Sequence, residues 1–176
     1  PKDKWRSLFD YQILLIPGGF SAGDSVRAGA ILAARMRSVL ERDLRRFVEE
    51  GRLVGGICNG FQVLVELGLL PAFDEIMSER PDAALFTNAN ARFECRPVLL
   101  KKENRGKCLW TRLVPEGTGI FPVAHGEGRF TAPPGREEDY IRRLVENDQL
   151  VFRYVKDDGS PAGGEYPYNP NGSLYE

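Results

Sequence analysis

Leu53-Val54-Gly55-Gly56-Ile57-Cys58-Asn59-Gly60-Phe61-Gln62-Val63-Leu64 passes from one apolar run to another through a cysteine, with a glycine two residues to either side. The first run has strand length. After the cysteine, Phe61, Val63, Leu64, Val65 and Leu67 fall in a helix-length segment with few charges. The spacing predicts a nucleophile elbow, a sharp strand-to-helix turn in which Gly56 and Gly60 remove side chains that would clash. Such a turn leaves the Cys58 thiol exposed at a helix N-terminus, where the macrodipole favours the thiolate, the form that attacks carbonyl carbon. The amide of Asn59 is then placed to stabilise an oxyanion. A cysteine between apolar runs is more often a packing residue, so the reading depends on what surrounds it.

Upstream, Tyr11-Gln12-Ile13-Leu14-Leu15-Ile16 is nearly continuous in apolar character and stops at Pro17-Gly18-Gly19. This predicts a parallel strand covered on both faces. In the loop Pro17-Gly18-Gly19-Phe20-Ser21-Ala22-Gly23-Asp24 the glycines let backbone N–H groups point at a phosphate or an oxyanion, and a plain tight turn is the simpler alternative. It is not a P-loop, since no Lys-Ser/Thr follows at the required spacing. Over 36–50, Met36, Val39, Leu40, Leu44, Phe47 and Val48 step by three and four, and Arg37, Glu41, Arg42, Arg45, Arg46 and Glu49 lie outside that stripe. The pattern predicts a surface helix with a solvated charged face, closed by Gly51. Strand, loop, helix, strand, elbow and helix make a right-handed parallel α/β unit with ligand groups at the carboxyl ends of its strands.

Downstream, 74–83 is charged and proline-bearing, a surface excursion, and 86–93 is polar and aromatic without period. Phe93, Cys95 and Pro97 alternate with Glu94, Arg96 and Val98, which predicts an extended segment. Ile120-Phe121-Pro122-Val123-Ala124 reads as a strand with proline at a sheet edge, ending in His125-Gly126-Glu127-Gly128. Residues 137–147, with Tyr140, Ile141, Leu144 and Val145 on one side, form a second amphipathic helix, and 150–155 a strand followed by an Asp157-Asp158-Gly159 turn. Residues 161–176 have no core pattern. No repeat and no second domain is read: 1–176 is expected to be a single domain.

The chain has 176 residues, 42% hydrophobic and 28% charged, enough to bury a sizeable core. A net charge of -1 from 24 basic and 25 acidic residues gives no electrostatic case for nucleic acid or an anionic membrane. A small molecule or another protein is the expected partner. No apolar run approaches the roughly 18 residues needed to span a bilayer, and Pro1-Lys2-Asp3-Lys4-Trp5 has no signal-peptide core. The expected compartment is the cytoplasm. Cys58, Cys95 and Cys108 form no CxxC pair for zinc or redox chemistry, which predicts reduced thiols and no metal. Asn171-Gly172-Ser173 matches a glycosylation acceptor and is read as coincidence.

Five segments occur in a familiar order and spacing: Pro17 to Asp24, Gly56-Ile57-Cys58-Asn59-Gly60-Phe61-Gln62, Arg92-Phe93-Glu94-Cys95-Arg96, Pro122-Val123-Ala124-His125-Gly126-Glu127-Gly128 and Asn169-Pro170-Asn171-Gly172-Ser173. With them the chain resembles the glutaminase subunits of phosphoribosylformylglycinamidine synthase, class I (triad) glutamine amidotransferases of purine biosynthesis. The resemblance covers nearly all of the chain. Ala22 departs from it, since many members carry Tyr there.

That resemblance implies a flavodoxin-like, three-layer α/β fold: a mostly parallel sheet with helices on both faces. It implies hydrolysis of glutamine to glutamate and ammonia, and transfer of the ammonia to a synthetase subunit that makes the amidine from formylglycinamide ribonucleotide. It also implies a small accessory subunit in the assembly, ATP and magnesium on the synthetase, and no cofactor in this chain. Cys58 matches the nucleophile, Gly19, Phe20 and Asn59 the oxyanion hole, and Gln62, Arg92, Phe93 and His125 the glutamine pocket. The family's catalytic His and Glu stand in a Pro-His-Pro-Glu segment that these residues lack, and its first strand has no counterpart here. The expectation is therefore a domain incomplete at both ends. His125, the single histidine, has the right chemistry for a base, with Glu127 two residues on. Beside Gly126 and Gly128, however, the spacing does not encode triad geometry, and the resemblance puts His125 at the pocket. Two other classes stay open: a non-catalytic amidotransferase-like binding module, and another cysteine hydrolase built on the same elbow.

Overall fold

The computed structural model describes residues 6–21 and 27–176. Among these are seven strands and three α-helices, a mixed α/β protein, and its contacts fall into two compact units, Pro1–Asp82 and Ala83–Glu176.

In the first unit β1 (Ile13–Ile16) and β2 (Leu53–Gly56) pair in parallel, from Ile13 opposite Leu53 to Ile16 opposite Gly56. Parallel neighbours need a crossover, and α1 (Ala30–Glu49) lies in it. The helix starts at Ala30 because Gly29, in the left-handed region at φ 79°, turns the chain into it. Only glycine fits there: a Cβ would stand 2.9 Å from the Val63 amide nitrogen. Helix α2 (Asn59–Glu66) follows β2 and packs on both strands, and α1 packs on α2. Ile16, Ala33, Leu44, Val63, Leu64, Leu67 and Met77 form the core between them.

Three sequence readings change here. Within this unit β1 is not covered on both faces, since Ile13 and Leu15 are 51% and 52% exposed. Val39, placed in the apolar stripe of α1, is exposed, and the buried line runs instead through Ala33, Leu44 and Phe47. The third concerns charge. Arg37 donates to the carbonyl oxygens of Leu67 (2.6 Å), Met77 (2.9 Å) and Ser78 (3.0 Å), and Arg45 donates to that of Ile76. Two arginines read as solvated therefore bind the backbone of the 74–83 excursion to α1. Guanidinium supplies several donors in a fixed fork, which suits a segment whose own carbonyls find no strand or helix.

In the second unit β3 (Ala84–Phe86) pairs antiparallel with β6 (Arg129–Thr131). A separate antiparallel sheet has β4 (Glu94–Lys102) at its centre, flanked by β5 (Thr118–His125) and β7 (Phe152–Tyr154). Pro97 lies opposite Pro122 in this ladder. Both prolines are tolerated because β5 is an edge strand and β7 pairs only with Leu100 to Lys102. Helix α3 (Glu137–Glu146) buries Tyr140 and Leu144.

The tail, patternless in sequence, is ordered by side-chain amides. Asn169 is buried; its Oδ1 accepts from the Gly172 (3.0 Å) and Ser173 (3.2 Å) amides, and its Nδ2 donates to the carbonyls of Gly163 (3.1 Å) and Ser173 (3.0 Å). Asn171, also buried, donates from Nδ2 to Gly128 O (2.9 Å), and its backbone carbonyl accepts from Ala89 N (3.0 Å). Burial pushes the pKa of the Tyr154 hydroxyl up to about 12, opposed by the hydrogen bond from Asn171. Among the described residues no helix is long and apolar enough to cross a membrane.

Candidate active site

Cys58 sits between β2 and α2 at φ 54° and ψ −111°, a conformation sparsely populated by residues with a Cβ and kept only where the surroundings over-determine it. They do so here. Ile57 N donates to Ile16 O (3.1 Å), Gly60 N to Ile57 O (2.9 Å), and Gln62 N to Cys58 O (3.1 Å). A Cβ on Gly56 would meet the Gly60 carbonyl at 2.5 Å, and one on Gly60 would meet Ile16 O at 2.0 Å. The two glycines singled out by spacing are thus the places where β1, β2 and α2 touch backbone to backbone. Cys58 is exposed at the tip. Asn59 opens α2, so its amide belongs to the first turn, whose N–H groups have no acceptor inside the helix.

The loop leaving β1 runs against the elbow, with the Gly18 Cβ position 3.3 Å from the Cys58 Cβ. Gly19 has φ 144°, and Phe20 is 77% exposed. Ala22, Gly23 and Asp24 of the quoted loop lie outside the described residues. Sequence reasoning used only the backbone of Asn59. Its side chain does more: buried, it accepts from Ser21 N (3.3 Å) and donates to Gln62 Oε1 (3.1 Å), fastening the loop and Gln62 to the turn. Arg27 and Glu66 form an ion pair on the same unit.

In the second unit Arg92 and Phe93 are exposed beside the start of β4, and His125 ends β5 opposite Glu94. Glu94 is buried and held by Asn90 Nδ2 (2.6 Å) and Arg96 Nε (3.3 Å). Asn88, which drew no attention as a sequence, brings Arg92 and His125 together. It is buried, and its Nδ2 donates to Arg92 O (2.7 Å) and His125 O (2.9 Å). Its Oδ1 faces Gly128 N (3.2 Å) and His125 Nδ1 (3.1 Å). The imidazole lies over Gly128, where a Cβ would stand 2.8 Å from its Cγ. Burial lowers the His125 pKa below its ordinary value, opposed by its own backbone hydrogen bond and by the Glu94 charge. Among the described residues neither ring nitrogen is held by a carboxylate, for Nδ1 meets Asn88 and Nε2 has no hydrogen-bond partner. No local pattern would have marked Asn88, since two of its three partner residues lie far along the chain. Among the described residues no cluster of His, Cys, Asp or Glu could hold a metal.

Comparison with known proteins fits this geometry. The chain is 55% identical over 175 residues to an Archaeoglobus fulgidus protein named phosphoribosylformylglycinamidine synthase subunit PurQ, covering 98% of this chain and 64% of that one. A Thermus thermophilus protein of the same name is 42% identical over 172 residues, covering 97% of this chain and 65% of that one. Among solved structures, a chain in a structure of PurLQS from Thermotoga maritima matches with a TM-score of 0.60 at 32% identity, over 86% of this chain and 59% of that chain. The chain thus spans less than two thirds of the length of each of these relatives. A family model described as the CobB/CobQ-like glutamine amidotransferase domain matches residues 3–176. A match of that extent takes in the elbow, the loop before it and the Asn88–His125 region alike, and the chain belongs to the CobB/CobQ-like glutamine amidotransferase domain family.

Proposed function

We propose that this domain is the glutaminase component of a phosphoribosylformylglycinamidine synthase, with Cys58 as its nucleophile. The observation that carries the reading is the Cys58 turn: a strained, exposed thiol held by two glycines that tolerate no side chain. The match to a glutamine amidotransferase domain supports glutamine as the substrate. In this reading the Cys58 thiolate attacks the glutamine carboxamide carbon, the C–S bond forms, and negative charge collects on the former carbonyl oxygen. Donors from Gly19, Phe20 and Asn59 stabilise that oxyanion. Collapse breaks the C–N bond, ammonia leaves with a proton from a general acid, and water hydrolyses the glutamyl thioester to glutamate and thiol.

Gln62, Arg92, Phe93 and His125 are assigned to glutamine binding. His125 is not assigned as the base, because its Nδ1 is committed to an amide rather than to an orienting carboxylate. No residue of this chain is assigned as the base or as its carboxylate partner. The domain as a whole is read as a flavodoxin-like, three-layer fold; the parallel β1–β2 pair with its helical crossover supports this, whereas the expected mostly parallel sheet is not what the described strands form, since the β3–β6, β4–β5 and β4–β7 pairs are antiparallel. Ammonia escaping to water becomes ammonium, so the partner is a synthetase subunit that receives it, with a small accessory subunit, and ATP and magnesium act there. The name of the Thermotoga maritima assembly supports that partnership.

Cys58 and Cys95 are both exposed, so accessibility alone cannot favour one. A diazo-ketone analogue of glutamine is expected to alkylate Cys58 ahead of Cys95 and Cys108, with glutamine protecting it. Equal labelling of the three thiols, or labelling indifferent to glutamine, would favour a non-catalytic module.

A further inference from the structure

Asn88 has four hydrogen-bonding positions on its side chain, two donors and two acceptor lone pairs. All four are used. Two partners are backbone carbonyls, Arg92 O (2.7 Å) and His125 O (2.9 Å), which only the amide nitrogen can serve. A third is the backbone N–H of Gly128 (3.2 Å), which only the amide oxygen can accept. Three partners of fixed polarity settle which end of the amide is oxygen, so the atom 3.1 Å from His125 Nδ1 is Oδ1. With no donor on that oxygen, His125 Nδ1 must carry the proton. In the neutral imidazole the other nitrogen, Nε2, then holds a bare lone pair.

Nε2 is buried and has no hydrogen-bond partner among the described residues. A buried acceptor left unmatched is costly, on the order of 1–3 kcal/mol, and native structures rarely keep one without a use. The ring is held on its other side by the Nδ1 contact to Asn88. Its face rests on Gly128, where a Cβ would stand 2.8 Å from Cγ and 2.9 Å from Nδ1. Asn88 itself is 2% exposed and anchored by its own backbone, which donates to Gly126 O (2.9 Å) and accepts from Ala91 N (2.8 Å).

We propose that Asn88 is a positioning residue: it fixes His125 as the Nδ1–H tautomer, and so turns Nε2 into a bare hydrogen-bond acceptor of the kind a ligand N–H requires. The ligand class is a primary amide or an ammonium group. Taking glutamine, which carries both, as that ligand rests on the function proposed above. The groups that could disturb this state are few. Glu94 lies opposite His125 on β4, tied up by Asn90 and Arg96, Glu127 follows two residues on, and Arg92 is held by its carbonyl to the same amide.

The test is nitrogen-15 NMR of the imidazole, assigned by the signal that His125→Asn removes. In the native protein at neutral pH, Nδ1 is expected to carry the proton-bearing signal and Nε2 the bare one. A proton on Nε2 overturns the proposal. Asn88→Asp should raise the titration midpoint of the ring, and Asn88→Ala should let the Nε2–H form appear; a native-like tautomer in Asn88→Ala would also overturn it. Added glutamine should move the Nε2 signal. Should the tautomer be as stated while glutamine moves nothing, the assignment of His125 to glutamine binding falls and its positioning by Asn88 stands.

Discussion

Gly60 lies so close to Ile16 that a Cβ on the glycine would stand 2.0 Å from the Ile16 carbonyl oxygen. Neither side of that contact is a flexible side chain, and both belong to ladders or turns that hold Cys58. Gly60→Ala is therefore expected to lose at least about 3 kcal/mol of stability, with Cys58 displaced. Chemical denaturation compares it with Gly164→Ala, a site with nothing within 4 Å of the added atom. Equal midpoints for the two would refute the packing argument.

Arg37 supports a segment rather than a charge pattern. Arg37→Met keeps the aliphatic stem on α1 but removes the donors to three carbonyls, those of Leu67, Met77 and Ser78. The expected loss is about 2–3 kcal/mol, with faster proteolysis between residues 74 and 83. Unchanged cleavage there would mean that Met77, buried in the core, holds the segment by itself.

Asn169→Ala removes an amide that serves two donors and two acceptors in the tail. Loss of about 3 kcal/mol is expected, together with faster hydrogen exchange at Gly172 and Ser173. Asn169→Asp should recover only the acceptor half, since a carboxylate cannot donate to Gly163 O and Ser173 O. Full recovery by Asp would count against this account.

His125 sets a pH dependence of known sign. Its folded pKa lies below the ordinary 6.5, chiefly through burial, so below that value the unfolded chain binds more protons than the folded one. Stability is thus fully present above about 6.5 and declines as the pH falls through the folded pKa. Denaturation midpoints from about pH 7 to pH 5 should fall more steeply in the native protein than in His125→Gln. Parallel curves would remove the effect.

The elbow was legible because its physics is local. Glycine at two fixed offsets from Cys58 leaves a mark that a close backbone contact requires, and the contacts fall at Gly56 and Gly60. Strand β4 was legible through alternation, and α3 through its apolar side. By contrast, β3 and β6 have three residues each and find one another across the chain, too short for either to show a period. Arg37 and Arg45 looked like any charged helix surface, because nothing in a guanidinium announces a carbonyl target. Asn88 left no trace for the same reason: its meaning lies in His125 and Gly128, far along the chain.

The buried tail amides have a chemical consequence. Asn-Gly is the dipeptide most prone to deamidate, since the glycine nitrogen can attack the asparagine side chain and close a succinimide ring. This chain has two such steps, Asn59-Gly60 and Asn171-Gly172. In the fold both asparagines are buried, and both attacking nitrogens are engaged, Gly60 N with Ile57 O (2.9 Å) and Gly172 N with Asn169 Oδ1 (3.0 Å). Ring closure must wait for the turn to open. Slow conversion to aspartate and isoaspartate at these two positions therefore acts as a clock, recording over days how often the elbow and the tail come undone.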